Sequence, residues 1–406
     1  MRGITRRGFA TATLGAASWL LGAGAGVGHG APARRSMRGM WLATVANLDW
    51  PSRPGLDRAT QQRELADLLD TAVERRLNTV FFQARPTADA LWPSRYEPWA
   101  QYLTGVQGRD PGWDPLDFVV REAHRRDLAL HAWFNPYRVA NHTDPARLAA
   151  GHPARRHPDW VVRYGGKLYY NPGLPEVRRF VQDAMLDAVR RYPLDGVHFD
   201  DYFYPYPVAG QAFHDDAAFE RYGGDFAGRG DWRRDNIDRL IREMREGIAG
   251  SGHRVPFGIS PFGVWRNSST DPRGSRTEAG VQAYDDLYAD TRRWVREGWI
   301  DAIVPQVYWP LGFAAADYAE LVPWWARTVA GTEVELHIGE ALYKAGRDAQ
   351  PDAWQDPAEL SEHLAFARRH PEVGGHVYFS AKDVAKDPLG ALARVVEDHY
   401  GGAARR

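Results

Sequence analysis

Two adjacent carboxylates, Asp200 and Asp201, follow a short apolar run and precede a loop rich in aromatic residues. Neighbouring like charges raise one pKa of such a pair, so one carboxyl stays protonated near neutral pH. Cleavage of a glycosidic bond by general acid catalysis requires such a group. The pair therefore predicts the catalytic centre of an enzyme that acts on sugars. The alternative is structural: Asp200 would orient Arg85 or Arg138, and Asp201 would cap a loop.

A third carboxylate, Glu340, ends a later strand-like run and is the candidate partner of the pair. Two catalytic carboxyls lie about 5–5.5 Å apart in retaining glycosidases and about 6.5–9.5 Å apart in inverting ones. In a substrate with a 2-acetamido group, the acetamido carbonyl can replace the enzyme nucleophile. One acid then orients this group while its neighbour protonates the leaving oxygen. The sequence leaves these three routes open.

Aromatic rings and amide, hydroxyl or guanidinium groups recur where most predicted strands end. Flat rings stack on the C–H faces of pyranoses, and polar side chains hold the sugar hydroxyls. Because each of these residues alone has a structural explanation, the prediction of a sugar site rests on their recurrence. The candidate substrate-binding residues are Gln83, Arg85, Trp133, Asn135, Tyr137, Arg138, Tyr202, Ser260, Gln306, Tyr308 and Trp309.

Strand-like apolar runs alternate with helical patterns along the chain, and this alternation predicts a single (β/α)₈ TIM barrel. A doubly wound open sheet is less favoured, because no glycine-rich phosphate turn follows the first strand. The predicted strands are Gly39–Val45, Asn78–Ala84, Leu128–Phe134, Asp195–Asp201, Val255–Ser260, Ile300–Gln306, Val334–Gly339 and Gly374–Ser380. The predicted helices are Asp57–Arg75, Asp114–Arg126, Pro175–Arg191, Asp231–Ala249, Glu278–Glu297, Asp317–Ala330, Asp356–Arg369 and Pro388–Tyr400.

Connection lengths orient this barrel. Helix-to-strand connections are predicted to be short, whereas the strand-to-helix segments Arg85–Trp113, Asn135–Leu174 and Tyr202–Gly230 are long. Long loops in a compact domain are usually functional, and barrel enzymes work at the C-terminal face of their strands. We therefore expect the site at that face, built from these long loops.

The N-terminal segment differs from the rest of the chain. Thr5-Arg6-Arg7-Gly8-Phe9 is a twin-arginine pattern, and a glycine-rich, weakly apolar run follows it. This combination is typical of a signal for the export of folded proteins; the other interpretation is a disordered basic tail. With cleavage at Ala31-Pro32-Ala33, we predict a signal peptide over residues 1–33 and one glycoside hydrolase-like domain over residues 34–406. The mature protein would be secreted or lie in the periplasmic or cell-wall space.

Composition excludes several classes of function. The 406 residues carry a formal net charge of -1, so no global field would attract nucleic acid or an anionic membrane. There is no cysteine for a disulfide or a thiolate metal site, and no phosphate loop. No stretch after the leader reaches the ~18 apolar residues of a membrane span. We expect no cofactor, no bound metal and a monomer whose partner is a polysaccharide.

Two other functions stay open. A glycan-binding barrel without catalysis would keep the aromatic residues but would not need both acids. A metal-dependent carbohydrate deacetylase also uses a Phe-Asp-Asp run, here Phe199-Asp200-Asp201. That chemistry needs a histidine pair one helical turn apart, and His152 and His157 match it poorly because Pro and Arg lie between them.

The motifs of this chain, in order, resemble those of the bacterial glycosyl hydrolase-like 10 family. The resemblance runs from about Arg38 to Tyr400. It implies a (β/α)₈ fold, export, and action on cell-wall glycan, such as peptidoglycan strands without stem peptides, or on a related polysaccharide. It also places the Asp pair in the acidic motif after strand four. The matching motifs are Arg38-Gly39-Met40-Trp41, Asp49-Trp50-Pro51, Phe82-Gln83-Ala84-Arg85-Pro86, His131-Ala132-Trp133-Phe134-Asn135-Pro136-Tyr137-Arg138, His198-Phe199-Asp200-Asp201-Tyr202-Phe203-Tyr204-Pro205, Gly258-Ile259-Ser260-Pro261-Phe262-Gly263 and Pro305-Gln306-Val307-Tyr308-Trp309.

Overall fold

The computed structural model describes residues 36–401 of the chain. The strands in this part are β1 (Met37–Leu42), β2 (Thr79–Arg85), β3 (Ala129–Phe134), β4 (Arg138–Ala140), β5 (Val161–Tyr164), β6 (Lys167–Tyr170), β7 (Gly196–Phe199), β8 (Phe257–Ile259), β9 (Ala302–Ile303), β10 (Glu335–Glu340) and β11 (Val373–Phe379). Eight of them close into a parallel barrel in the order β1-β2-β3-β7-β8-β9-β10-β11. The predicted (β/α)₈ barrel is confirmed. The predicted signal peptide over residues 1–33 lies outside the described residues.

Helices separate the barrel strands along the chain. They are α1 (Arg58–Glu74), α2 (Gln101–Thr104), α3 (Pro115–His124), α4 (Pro153–Arg156), α5 (Pro175–Arg191), α6 (Asp216–Tyr222), α7 (Arg229–Ala249), α8 (Ala283–Asp286), α9 (Thr291–Arg296), α10 (Tyr318–Val329), α11 (Glu359–Ala367), α12 (Ala381–Lys386) and α13 (Ala391–His399). Several begin as the sequence predicts. Before α3, for example, the Asp114 side chain accepts a hydrogen bond from the Asp117 N–H, and Pro115 occupies the first turn.

The single helix predicted over residues 278–297 is wrong. The segment contains the two short helices α8 and α9, and Tyr288 between them has a positive φ of 54°. Asp290 then accepts a hydrogen bond from the Arg293 N–H and caps α9. A left-handed residue followed by a new N-cap ends one helix and starts another, although the apolar periodicity continues through both.

Alternation along the barrel strands separates an inner from an outer set of side chains. Trp41, Phe81, Trp133, Val304 and Val377 form one buried cluster inside the barrel. The outward residues pack against the helices in a second, larger core. Because side chains alternate between the two faces of a strand, the residue two places beyond each inner residue approaches the C-terminal mouth.

The loop between β3 and α5 contains a small antiparallel sheet, in the order β4-β6-β5, which is not among the predicted strands. Its hairpin turns at Gly165 and Gly166, whose φ values are 55° and 74°. Two glycines between apolar runs are a recognised hairpin signal, because both turn residues need positive φ. This sheet carries Arg138 to the mouth of the barrel, since β4 begins at that residue.

Gly196 is expected to tolerate no larger side chain. It pairs with His131 across β3 and β7, and an added Cβ would lie 2.3 Å from Nδ1 of that ring. We expect Gly196→Ala to lower the free energy of unfolding by about 1–3 kcal/mol through overpacking, measured by chemical denaturation. Gly224→Ala is the control, because a Cβ there meets no atom within 4 Å. Equal stability of the two variants would contradict the tight packing of β3 against β7.

Candidate active site

A pocket of about 340 Å³ opens at the C-terminal end of the barrel, where the long loops meet. It is therefore at the face that the loop lengths predict. Its size suits a single sugar ring, and its lining combines seven aromatic side chains with six polar or charged ones. The lining residues are Trp41, Ala43, Val45, Leu48, Gln83, Trp133, Arg138, Asp200, Asp201, Tyr202, Tyr206, Ser260, Gln306, Tyr308, Tyr343 and Phe379.

Asp200 is buried at the pocket wall and held by three donors. The Trp133 Nε1–H donates to its Oδ2 at 3.1 Å, and the Tyr202 backbone N–H donates to its Oδ1 at 3.1 Å. The Asn135 amide reaches both oxygens, at 3.2 and 3.1 Å. Burial raises the pKa of Asp200, whereas the positive charge of Arg138 and these donors oppose that rise. The donors fix the carboxylate in one orientation.

Asp201 faces the same pocket because β7 ends at Phe199 and the chain bends after it. Burial and the neighbouring charge of Asp200 raise the pKa of Asp201 to about 7, while a hydrogen bond from the Tyr206 hydroxyl to Oδ2 opposes the rise. On a continuing strand, Asp201 would have pointed to the opposite face. The bend makes the two carboxyls neighbours, and with a pKa of about 7 the Asp201 carboxyl is protonated for part of the time at neutral pH.

Below the pair, His198 lies on the inner face of β7. Its Nε2 is 2.9 Å from the Ser260 hydroxyl and 3.3 Å from the Trp41 Nε1. Burial, together with the charge of His131, lowers the pKa of His198 well below its ordinary value. The ring is therefore neutral at physiological pH. It supports Trp41 and Ser260, both of which line the pocket.

Two amide side chains are fixed at the pocket wall. The Gln83 Oε1 accepts from the backbone N–H groups of Thr44 and Val45, at 3.0 and 2.9 Å. This leaves its buried Nε2 without a hydrogen-bond partner among residues 36–401. The Gln306 Nε2–H donates to the Ser260 carbonyl at 2.9 Å. A donor that is held in place but has no acceptor in the protein is suited to donate a hydrogen bond to a ligand oxygen.

Aromatic side chains form opposite walls. Tyr202 and Tyr206 contact each other edge to face, with ring centroids 5.6 Å apart. Across the pocket, Tyr308 packs against Tyr343 at 5.9 Å and against Phe379 at 6.4 Å. Such walls offer both stacking faces and hydroxyl groups to a pyranose.

The structure brings nine of the predicted site residues to the pocket: Asp200, Asp201, Gln83, Trp133, Arg138, Tyr202, Ser260, Gln306 and Tyr308. Four predicted substrate-binding residues do not line it, namely Arg85, Asn135, Tyr137 and Trp309. The pocket lining therefore gives no support to their predicted role in substrate binding. Asn135 instead holds Asp200, as described above.

The other three of these four have structural surroundings. Arg85 is fully buried and forms an ion pair with Glu97 at 2.5 Å. Tyr137 is fully buried in the outer core. Trp309 is half-buried and packs edge to face on Phe262, with ring centroids 5.4 Å apart. Each of the three is a neighbour of a pocket residue in sequence or in space, but its side chain contacts other parts of the protein.

Glu340 does not line the pocket, so its predicted catalytic role has no support from the pocket geometry. It is fully buried and accepts hydrogen bonds at 2.9 Å from the Tyr318 hydroxyl and from the Nδ1 atoms of His363 and His376. Burial raises the pKa of Glu340, but the charges and hydrogen bonds of the two histidines outweigh it and lower the pKa. Alternation explains the orientation: Gly339 lies on the inner face of β10, so its neighbour Glu340 points towards the helices.

Four pocket aromatic residues were missing from the predicted set: Trp41, Tyr206, Tyr343 and Phe379. Trp41 and Phe379 lie at inner positions of β1 and β11. The alternation of side chains along these strands could have predicted that both point into the barrel. Tyr206 lies in the loop that follows the Asp pair, and Tyr343 follows β10 closely. Both lie beyond the last residues of their strands, in loops whose course the sequence pattern does not predict.

Within residues 36–401, no group of three or more His, Asp or Glu side chains is arranged to hold a metal ion. The two histidines that a deacetylase would require serve other purposes. His152 Nδ1 accepts from the Ala154 N–H, and His157 stacks on Trp160 with ring centroids 4.2 Å apart. No helix of this part of the chain is long and apolar enough to cross a membrane.

Comparison with solved structures supports the fold. The glycoside hydrolase domain of PgaB (BpsB) from Bordetella bronchiseptica superposes with a TM-score of 0.58 at 15% identity, covering 88% of this chain and 97% of that domain. Alpha-L-fucosidase isoenzyme 2 from Paenibacillus thiaminolyticus superposes with a TM-score of 0.54 at 12% identity, covering 90% of this chain and 49% of the other. At such identities the likeness concerns the barrel alone.

Comparison of sequences is more specific. Glycosyl hydrolase YngK of Bacillus subtilis (strain 168) is 50% identical over 368 residues, which cover 90% of this chain and 72% of the relative. Glycosyl hydrolase DigH of Escherichia coli (strain K12) is 43% identical over 386 residues, covering 90% and 87%. The model of the family described as Glycosyl hydrolase-like 10 matches residues 36–356. The chain therefore belongs to the glycosyl hydrolase-like 10 family.

Proposed function

We propose that this protein is an exported glycoside hydrolase that cleaves cell-wall glycan, or a related polysaccharide, at a sugar carrying a 2-acetamido group. The observation that carries the proposal is the pairing of Asp200 and Asp201 in one pocket with different surroundings. No other carboxylate of residues 36–401 lines this pocket. The lining therefore offers no third carboxylate as a separate nucleophile. In the proposed mechanism the acetamido oxygen of the substrate is the nucleophile.

In this mechanism Asp201 is the general acid. Its proton passes to the glycosidic oxygen as the bond from that oxygen to the anomeric carbon breaks. The acetamido carbonyl oxygen attacks the anomeric carbon and forms a cyclic oxazolinium. Asp200, oriented by its three donors, stabilises as a carboxylate the positive charge that develops there. Asp201, now ionised, removes a proton from the water that opens the ring, and the product is released with its acetamido group restored.

The rival functions give different products. The purified protein is incubated with peptide-free peptidoglycan strands, and new reducing ends and soluble sugar fragments are measured. Hydrolysis should release them, and chemical removal of the N-acetyl groups from the strands should abolish release. A glycan-binding barrel would bind the strands and release nothing from them or from a broad polysaccharide panel. A deacetylase would release acetate and stop when metal is chelated. Either of these two results overturns the proposal.

Loss of the Tyr206 hydroxyl is expected to move the pH profile. Activity of the wild type should fall as pH rises through about 7, because Asp201 must be protonated to act as the acid. Tyr206 donates to the Asp201 carboxylate and lowers its pKa. In Tyr206→Phe that pKa rises, so the alkaline limb of kcat against pH should shift to higher pH. Tyr222→Phe, whose ring lies outside the pocket lining, is the control. A limb that stays in place, or moves down, would contradict the assignment of Asp201.

A further inference from the structure

Among the buried arginines of residues 36–401, Arg138 lacks a carboxylate partner. Arg85, Arg178 and Arg233 each form an ion pair, at 2.5, 2.9 and 2.7 Å. Arg138 is equally buried, with 6% of its surface exposed, yet no Asp or Glu oxygen of the described chain lies within 4.0 Å of it. A buried guanidinium is costly unless an anion and hydrogen bonds compensate it. Arg138 is therefore the one buried arginine whose counter-ion is missing.

The contacts of Arg138 direct its charge to the pocket. Its Nε and Nη2 donate to the carbonyl of Pro86, at 3.4 and 3.2 Å, and its guanidinium lies 4.9 Å from the centre of the Tyr202 ring. Its Nη1 makes no hydrogen bond within residues 36–401, and the side chain lines the pocket. The protein thus holds the guanidinium through Nε and Nη2, while Nη1 is available to donate to a ligand.

A second cation strengthens the local field. Lys167 begins β6, the strand that pairs with β4. Burial and the positive charge of Arg138 both lower the pKa of Lys167. Lys167 has no ion pair within residues 36–401 either. Of the pocket carboxyls, Asp200 feels Arg138 electrostatically but lies beyond ion-pair distance. The pocket wall at Arg138 is therefore positively charged. The Asp200 carboxylate offsets this charge only in part.

We propose that Arg138 is a specificity-determining residue that binds a free carboxylate on the sugar held in this pocket. The inference rests on the proposed function, and it adds the class of substrate: a glycan in which an acidic sugar, or a sugar bearing a carboxylate substituent, occupies the site. The planar guanidinium and a carboxylate have matching geometry, and the bond is charge-assisted. In wall glycan this group is the lactyl carboxylate of muramic acid. A stem peptide converts it to an amide, which has no charge to offer to Arg138.

The test compares two forms of one glycan with two variants. The probes are peptide-free strands with the free lactyl carboxylate and the same strands after its conversion to a methyl amide. Hydrolysis is measured for the wild type, Arg138→Gln and Arg138→Lys. The control is Arg163→Gln, because Arg163 is exposed on β5 of the same small sheet and does not line the pocket. Thermal unfolding establishes that all four proteins are folded.

Wild-type protein should prefer the free carboxylate. Arg138→Gln should raise KM for that form about 10- to 100-fold and change KM for the amide less than about threefold, so the preference disappears. Arg138→Lys should restore part of it, and Arg163→Gln should behave as wild type. Equal losses on both probes, or a fall in kcat without a change in KM, would overturn the inference and make Arg138 a support for Asp200.

A binding measurement separates failure of this inference from failure of the proposed hydrolysis. Affinity for both probes is measured by calorimetry with the Asp201→Asn protein and with the double variant Asp201→Asn, Arg138→Gln. Tighter binding of the free carboxylate that depends on Arg138 supports the inference, even when no bond is cleaved. Equal affinity for the two probes overturns it, whatever the activity of the wild type.

Discussion

Replacement of Asp201 by Asn is expected to lower kcat for glycan hydrolysis by about 10²- to 10⁴-fold, the range in which general acid catalysis contributes. The amide cannot protonate the leaving oxygen, whereas its size and its contact with Tyr206 are nearly preserved. KM should change much less. The kinetics are measured by release of reducing ends from peptide-free strands, over a pH range that spans the Asp201 pKa of about 7.

A substrate with a better leaving group separates acid catalysis from misfolding. A nitrophenyl glycoside needs little protonation as its bond breaks, so Asp201→Asn should lose far less activity on it than on glycan. The matched control is Asp225→Asn, an exposed residue of the same loop after β7 that does not line the pocket. An Asp201→Asn protein that keeps more than a tenth of wild-type activity on glycan would contradict the assigned role.

Replacement of Glu340 by Gln is expected to cost stability rather than the catalytic step. Glu340 accepts from Tyr318, His363 and His376, and His363 also lies 2.9 Å from Glu359. Removal of one partner from a buried charged network leaves another charge uncompensated, at a cost of about 3–5 kcal/mol. Chemical denaturation measures this loss. Glu362→Gln is the control, because Glu362 is exposed on the same helix, α11. A Glu340→Gln protein of wild-type stability would contradict the network.

The same network predicts how stability depends on pH. Burial lowers the pKa of His363, but Glu340 and Glu359 outweigh this and raise the pKa to about 9 from its ordinary value of 6.5. A pKa that is raised by folding adds stability that is fully present below the unfolded-state pKa. This contribution, about 3 kcal/mol for such a shift, is lost as pH rises through about 9. Denaturation of the wild type between pH 6 and 10 should show the loss, and His363→Gln should not.

Local sequence patterns were sufficient to predict the barrel and the position of its acidic pair. The alternation of strand and helix patterns predicted the topology. The unequal connection lengths predicted the end of the barrel at which the pocket lies. Period-two alternation also accounts for His198, two residues before Asp200, lying on the inner face of β7 below the pocket. These features depend on residues that are close together in the chain. The apolar pattern of each segment is enough to indicate which of its side chains are buried.

The direction of a side chain at the end of a strand was harder to predict, because a shift of one residue turns the side chain to the opposite face of the sheet. Glu340 is the last residue of β10, and the inner position belongs to Gly339, so the carboxylate points to the helices. Asp201 shows the opposite case, since its strand has already ended and the chain bends towards the pocket. A carboxylate at the end of a strand or just beyond it can therefore face either way.

The choice of counter-ion was decided by tertiary structure alone. Arg85 and Arg138 both follow apolar strands and belong to similar aromatic motifs. Glu97, on the loop after β2, neutralises Arg85, whereas no carboxylate of residues 36–401 forms an ion pair with Arg138. The sequence by itself determined the barrel, the end at which the pocket lies and the presence of the acid pair. Tertiary packing decided which charges are satisfied inside the protein and which remain for a ligand, because ion pairs form between groups brought together by folding rather than by their order in the chain.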